Sequence, residues 1–163
     1  MLFRSMKLKA WDAFASVVLD PGAQPRVRWW PVAFALQRLE DPRGVPAMLA
    51  LVKDPQPYTR AFAAKGLGIS KTPAVVAALV PLVTDGNRSV AIEAIRSLAR
   101  IGDPAAAVPL LKLVRDLKTE PHVRLEAVTA LASIRADGVY DAIIDILGDP
   151  SATIRAAAIR TMA

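Results

Sequence analysis

A single repeating register constrains this chain more than any other feature of its sequence. From Leu36, large apolar residues recur at Leu67, Leu98, Leu131 and Met162, at intervals of 31, 31, 33 and 31. Seven positions before each stand Trp29, Arg60, Ala91, Arg124 and Arg155. Three positions after those come Val32, Ala63, Ala94, Ala127 and Ala158, and the next positions hold Ala33, Ala64, Ile95, Val128 and Ile159. Offsets of three, four and seven trace one face of an α-helix, so each unit opens with an amphipathic helix. A period of this length marks a repeat array, in which each unit buries its apolar face against its neighbours.

Each unit has a second half with the same regularity. Met48, Leu79, Leu110 and Ile143 form one column, Leu49, Val80, Leu111 and Ile144 the next, and Val52, Val83, Val114 and Leu147 a third at helical spacing. Between the two helices lie Asp41-Pro42, Thr72-Pro73, Asp103-Pro104 and Asp137-Gly138. Asp or Thr before proline predicts an N-cap followed by proline at the first helical position. An acid recurs after the second helix at Asp54, Asp85, Asp116 and Asp149, and earlier at Asp20; Pro55, Gly86 and Pro150 then stop the helix. The one longer interval reflects two extra residues in the 117–120 loop. The pattern predicts one domain, 1–163, with a half-repeat at 1–20, repeats at about 25–54, 56–85, 87–118 and 120–149, and a half-repeat at 151–163. Residues 8–19 read as a second helix without its first, and 151–163 as a first helix without its second. Ile154, Ala158, Ile159 and Met162 are therefore expected to lack cover, so that either the chain is a fragment of a longer repeat array or it associates with itself through the C-terminal end.

Composition agrees with closely packed helices. Alanine, the best helix former, fills 30 of the 163 positions, and aromatics are only 6%. Zero cysteines exclude disulfides and thiolate chemistry, and a single histidine, His122, excludes a multi-histidine metal site. No stretch is long and apolar enough for a membrane span, and Asp12 interrupts the apolar part of the first twenty residues, so no secretory signal is expected. A cytoplasmic location is expected.

The unit Asp-Pro, three residues, Val or Ile, Arg, followed by Gly-Asp-Pro and a Leu/Val-rich second helix, resembles the HEAT repeat. It is most similar to the HEAT-like subtype named after phycobilisome lyases. The segments that carry the likeness are IRSLARIGDPAAAVPLLKLV (95–114), EPHVRLEAVTALASIRADG (120–138) and DPSATIRAAAIRTMA (149–163), within a resemblance that covers about 27–163. It implies an all-α fold, a right-handed α-α superhelix with about four full helix pairs plus a half-repeat at each end. Its second helices would line the concave side. The block WWPVAFALQRLEDP (29–42) departs from the pattern, since Trp29 stands where arginine stands elsewhere, and Ala91 departs too. The segment is also similar to repeat regions accompanying cyclophilin-type domains in some large bacterial proteins, which implies a bacterial scaffold.

Several residues invite a functional reading. Arg60, Arg124 and Arg155 lie one per repeat; with Asp54 and Asp149 six positions upstream of Arg60 and Arg155, they read better as a structural ladder of ion pairs or carbonyl caps than as phosphate binders. The net charge of +6 comes from 21 basic residues interleaved with 15 acids, so a solvated face is the better reading than a nucleic-acid stripe. Lys53, Lys112 and Arg115 fall at solvent-side positions of the second helices and are the candidate binding residues of the concave face. Trp30 aligns with Ala61, Ile92 and Leu125 and is expected in the core. By analogy with HEAT-like alkylpurine DNA glycosylases it would instead stack on a base, with Glu40 or Asp41 as partner. His122, beside Glu120, lacks a Ser or Cys partner, and no phosphate-binding glycine loop occurs. The expected function is thus a non-enzymatic scaffold that binds a protein or peptide on its concave face, or positions a neighbouring domain. No cofactor, catalytic residue, metal or membrane is expected. Ala47, Ala50, Ala78 and Pro81 on the second helices suit such a partner. Nucleic-acid binding or repair is the first alternative, and a bilin lyase subunit the second.

Overall fold

The computed structural model describes residues 2–162, with side chains described from residue 10 onward. Among these residues the chain forms helices α1 (Leu2–Val18), α2 (Trp30–Leu39), α3 (Val45–Leu51), α4 (Pro57–Leu67), α5 (Pro73–Leu79), α6 (Arg88–Ile101), α7 (Ala107–Arg115), α8 (Pro121–Leu131), α9 (Val139–Ile146) and α10 (Ala152–Met162). Short 3-10 turns at Pro42–Gly44 and Pro104–Ala106 lead into α3 and α7, and a third, Val80–Thr84, prolongs α5. The described residues contain no strand beyond one isolated bridge between Leu19 and Pro25. No described helix is long and apolar enough to cross a membrane.

The first helices α2, α4, α6, α8 and α10 stack in order, each against the next. The second helices α3, α5 with its 3-10 turn, α7 and α9 pack chiefly against the first helix of the following unit. This arrangement makes an all-α repeat superhelix with one continuous core. The columns read from the sequence fill that core: Leu36, Leu67 and Leu98 are inaccessible to solvent, Leu131 nearly so, and Met48, Leu79 and Leu110 meet them from the second layer. Burying each such side chain contributes roughly 1.5–3 kcal/mol.

Close approach between first helices depends on small residues. A Cβ at Gly66 would lie 2.3 Å from the Met48 sulfur and 3.3 Å from the Gln37 backbone, so only glycine admits this contact without displacing Met48. One repeat later Ser97, fully buried, donates from its hydroxyl to Ala64 O at 2.8 Å and ties α6 to α4.

The breaks between helices are less uniform than their sequences. Asp41 and Asp103 accept from the N–H two residues on, at 2.9 and 2.8 Å, and start the 3-10 turns with proline next in line. Thr72 precedes Pro73 with extended backbone but makes no side-chain cap, contrary to expectation. In the fourth unit Gly138, at φ +76°, takes the N-cap position instead of Asp137.

At the C-terminal end the expectation of four uncovered residues is half corrected. Ile154 and Ala158 are buried, because α10 lays that face on α8 and α9; Ile159 and Met162 remain exposed.

Candidate binding surface and repeat junctions

The junction aspartates do two jobs. In every junction the carboxylate accepts the N–H two residues on, closing an Asx turn: Asp20 to Gly22, Asp54 to Gln56, Asp85 to Asn87, Asp116 to Lys118 and Asp149 to Ser151, all at 2.8–2.9 Å. In two units the same carboxylate also receives an arginine. Arg60 donates through Nε and Nη2 to Asp85 at 2.8 Å, and through Nη1 to the carbonyls of Asp54 and Pro55 at 2.9 Å. Arg124 donates to both oxygens of Asp149 and sends Nε to Val114 O at 2.7 Å. The ion-pair partner of Arg60 is therefore the aspartate 25 residues downstream; Asp54, six upstream, offers its backbone carbonyl. Arg155 repeats only the carbonyl half, reaching Asp149 O and Pro150 O at 2.8 and 3.1 Å. Arg60 and Arg124 bolt one junction to the next.

Burial shapes the charges in the clamps. At Asp149 burial alone would raise the carboxyl pKa, but hydrogen bonds from Arg124 and the Ser151 N–H, with the nearby arginine charges, hold it below the usual aspartate value. At Asp85 burial is likewise outweighed, here by Arg60 and the Asn87 N–H.

Lys53, Lys112 and Arg115 are all exposed, and none makes an ion pair among the described residues. Lys112 and Arg115 belong to a row of shallow cavities along the second helices. The first, of about 280 Å³, lies between Val76, Ala77, Val80, Pro81 and the Asp103 turn. Val80 carries it into a second, of about 250 Å³, which also meets Pro109, Lys112 and Asp116. Lys112 and Asp116 carry that into a third, of about 470 Å³, beneath Val108, Leu111 and Arg115. Leu111 and Arg115 border a fourth, of about 230 Å³, that ends at Asp145 and Ile146. Val108 is 76% exposed beside this row. Lys53 lies outside all four. Of the small residues read as concave lining, Pro81 lies in the row and Ala50 and Ala78 are half-buried, whereas Ala47 is in the core.

The first-helix layer carries a different surface at its N-terminal end. Trp30 is 44% exposed, a correction to its expected place in the core. Its ring lies 6.1 Å from Phe62 and 6.5 Å from Trp29, and Phe34 meets Phe62 edge-on at 5.2 Å. The same column is half-buried at Ile92 and Leu125 and in the core only at Ala61. Trp30 starts α2 and Asp41 lies just past its end, about 16 Å away at 1.5 Å per residue, and Asp41 is bound to Arg43. A stacking tryptophan with that acid beside it is not assembled.

His122 Nδ1 lies 2.9 Å from Glu120, whose other oxygen caps the Val123 N–H. A slight burial effect that would raise the Glu120 pKa is outweighed by these hydrogen bonds and by the charges of His122 and Arg88, so its carboxyl sits below the usual value. Beside it is a cavity of about 460 Å³ between α8 and α10, lined by Leu117, Pro121, Leu125, Pro150 and Ile154. Sequence reasoning did not find this hollow; the signal it offered was the two extra residues of the 117–120 loop, where Leu117 is 66% exposed and lines the cavity. Among the described residues no three acids or histidines gather as metal ligands do.

The family model for HEAT repeats matches residues 18–91 and 76–163. The chain belongs to the HEAT-repeat family. A solved structure of the complex of CpcE and CpcF of phycocyanin lyase, from a Nostoc species, is similar over 82% of this chain and 57% of that one, with a TM-score of 0.63 and 22% identity. An engineered protein is similar over 82% of this chain and 68% of its own, with a TM-score of 0.56 and 24% identity. At these identities the likeness is one of fold. The HEAT-repeat chain spans little more than half the length of the lyase chain it matches. A search of curated proteins gives no match.

Proposed function

We propose that this HEAT-repeat protein is a non-enzymatic, cytoplasmic scaffold whose second-helix face holds a segment of a protein partner. The observation that supports this reading is the row of four cavities linked by shared residues from Pro73 to Asp145. Separate hollows would suit small ligands, whereas a linked row with an apolar floor suits an extended strand or an amphipathic helix. Lys112 and Arg115 on its rim stand beside Asp103, Asp116 and Asp145, which favours a segment with charges of both signs around its apolar anchors. Repeat arrays offer such surfaces because each unit adds one more pocket in register. The named lyase neighbour is itself a complex of two proteins, which agrees with a protein partner.

An array of amphipathic peptides of varied charge, read by fluorescence anisotropy, tests the proposal. Binding should fall at least about tenfold, or 1.4 kcal/mol, in Val108→Asp, and Lys112→Glu should weaken it in a salt-dependent way. Duplex DNA bound more tightly than about 1 µM at physiological salt, with a steep salt slope, would instead favour the nucleic-acid reading. Incubation with bilin and an apo-phycobiliprotein is expected to give no coloured adduct; an adduct would favour the lyase reading.

A further inference from the structure

Trp29, Trp30, Phe34, Tyr58 and Phe62 are five of the chain's nine aromatic residues, and they gather where α2 meets α4. Trp30 and Phe34 lie one helical turn apart on α2, and Tyr58 and Phe62 one turn apart on α4. Trp30 and Phe34 turn toward α4 and Phe62 turns back toward α2, so the joint between these two helices is complete. Much of the ring surface nevertheless stays in water: Trp29 is 58% exposed, Trp30 44%, Phe34 42% and Tyr58 69%. At about 150–250 Å² per aromatic side chain this leaves roughly 300–500 Å² uncovered, the size at which an apolar patch marks a contact site.

Stacking does not require rings at these positions. Two units on, the places of Phe34 and Phe62 are held by Arg96 and Glu126, which close the same edge of the α6–α8 joint with hydrogen bonds of 2.5 and 3.1 Å. That pair tolerates water; the rings do not gain from it.

The charges around the rings are mainly positive. From Pro21 to Leu39 the chain has three arginines and no acid. Residues 26–30, Arg-Val-Arg-Trp-Trp, are all exposed. The segment is held in place by Arg26, which donates its backbone N–H to Val18 O at 2.8 Å and its Nε to Leu19 O at 2.7 Å. Arg28 precedes Trp29, Arg38 lies one turn beyond Phe34, and neither makes an ion pair among the described residues. The acids at the edges are Glu40, past the end of α2, and Glu93 on α6, which lies 3.6 Å from Arg96. Asp54 is buried, and Asp85 is clamped by Arg60.

We propose that this face docks on an anionic lipid surface, with the rings at headgroup depth and the arginines against lipid phosphates. Tryptophan and tyrosine settle at the membrane–water interface because one ring carries both apolar and polar edges, and basic residues are drawn to an anionic leaflet. A bilayer accepts protruding rings without matching their shape, whereas a protein partner has to supply pockets for them. None of the cavities described above reaches this face, so it has no trench to hold a peptide. A second copy would set its own arginines against the first set. The contact is peripheral, since no described helix is long and apolar enough to cross a membrane. The expectation of no membrane partner rested on the lack of a span, which a surface contact does not need. This face is separate from the second-helix row, so either assignment can fail alone.

Co-sedimentation with vesicles of equal parts phosphatidylglycerol and phosphatidylcholine, set against vesicles of phosphatidylcholine alone, tests the proposal. The anionic vesicles should bind at least about tenfold more tightly, less so as salt is raised, and should shift tryptophan emission to the blue. Trp11 is buried, so the shift reports Trp29 and Trp30. Trp29→Ser and Tyr58→Ser remove largely exposed rings and should keep the helical circular dichroism of the parent. Each should weaken binding at least about fivefold. The net charge of +6 attracts anionic vesicles by itself, so a matched pair of variants separates this face from charge alone. Arg28→Glu and Lys112→Glu change the charge equally, and the first should weaken binding at least about fivefold more than the second. Equal losses in the two overturn the proposal, as does equal binding to both kinds of vesicle or binding to neither. Emission that shifts with protein concentration alone, without lipid, also overturns it, because the rings then meet a second copy.

Discussion

The second and fourth units carry an arginine clamp, and the first and third do not. Arg60 and Arg124 each fasten a carbonyl of one junction to the aspartate of the next, whereas Trp29 and Ala91 stand at the same position in the units between. Yet the Asx turn is intact at Asp54 and Asp116, whose units lack the arginine. The turn therefore sets the geometry of every junction, and the clamp is an additional fastening on alternate units. The recurring aspartate is explained by the turn alone; the arginine is explained only by stacking.

The largest effect should come from opening the more buried clamp. Arg124 and Asp149 are both less than one-tenth exposed. Removing one partner of such a pair leaves an unpaired buried charge and costs about 3–5 kcal/mol. Arg124→Ala should lower stability by that order in urea unfolding, with the loss of hydrogen-exchange protection centred on α8 to α10. Arg60→Ala should cost less, because Arg60 and Asp85 are partly accessible. Equal costs in the two variants would mean that burial does not distinguish the clamps.

Acid should loosen the clamped units. Asp85 and Asp149 are held below the ordinary aspartate pKa in the folded chain. Each contributes stability that is fully present above the unfolded value of about 3.9 and is lost as pH falls through the lower folded value. Stability should thus decline below about pH 4, and Asp149→Asn should flatten that part of the curve while lowering the plateau above it. Thermal unfolding followed from pH 7 to pH 3 reads both effects.

How much of this was legible in the sequence depends on what the period can specify. Leu36, Leu67, Leu98 and Leu131 recur because their side chains meet the same packing environment in each unit, so fold and core followed directly from spacing. The partner of Arg60 did not: Asp54 and Asp85 occupy the same column, and a period cannot say which copy of a column lies within reach. Trp30 was misplaced for a related reason. Its column is core for Ala61 but only half-buried for Ile92 and Leu125, so the period does not fix how deeply a residue there lies. The second-helix row was partly legible, through Pro81, Lys112 and Arg115. Its continuity depends on how neighbouring second helices lean, which no single repeat encodes.

Within the clamped second unit, Thr59 sharpens the comparison at a smaller scale. Its hydroxyl is fully buried without a hydrogen-bond partner, and the carbonyl one helical turn back, Pro55 O, already accepts from Arg60. Val90, Val123 and Ile154 hold the same position in the later units, all buried. Replacing the unpaired hydroxyl by a methyl removes a desolvation cost of about 1–3 kcal/mol. Thr59→Val should stabilise the chain by about 1 kcal/mol, raising the midpoint of urea unfolding without changing its slope. A loss of stability would show that the hydroxyl is engaged.

The smallest effect should come from the ion pair that resembles a clamp but lies on the outside. Arg96 on α6 donates to Glu126 on α8 at 2.5 and 3.1 Å and lies 3.6 Å from Glu93, joining an arginine to a carboxylate between neighbouring units. Half of the Arg96 side chain is exposed, however, so water and salt compete for it. Exposed pairs contribute about 0.2–1 kcal/mol, and a side chain held on both sides must also give up rotamer freedom. Glu126→Gln should therefore cost no more than about 0.5 kcal/mol at low salt, and the difference should disappear at about 1 M salt, where the screening length is about 3 Å. The loss in Arg124→Ala should persist at that salt, because the Asp149 carboxylate is then left more than nine-tenths buried without its partner, and buried charges are screened much less. A clamp that softened with salt as much as the Arg96 pair would remove the distinction between fastenings inside the junctions and those on the surface of the stack.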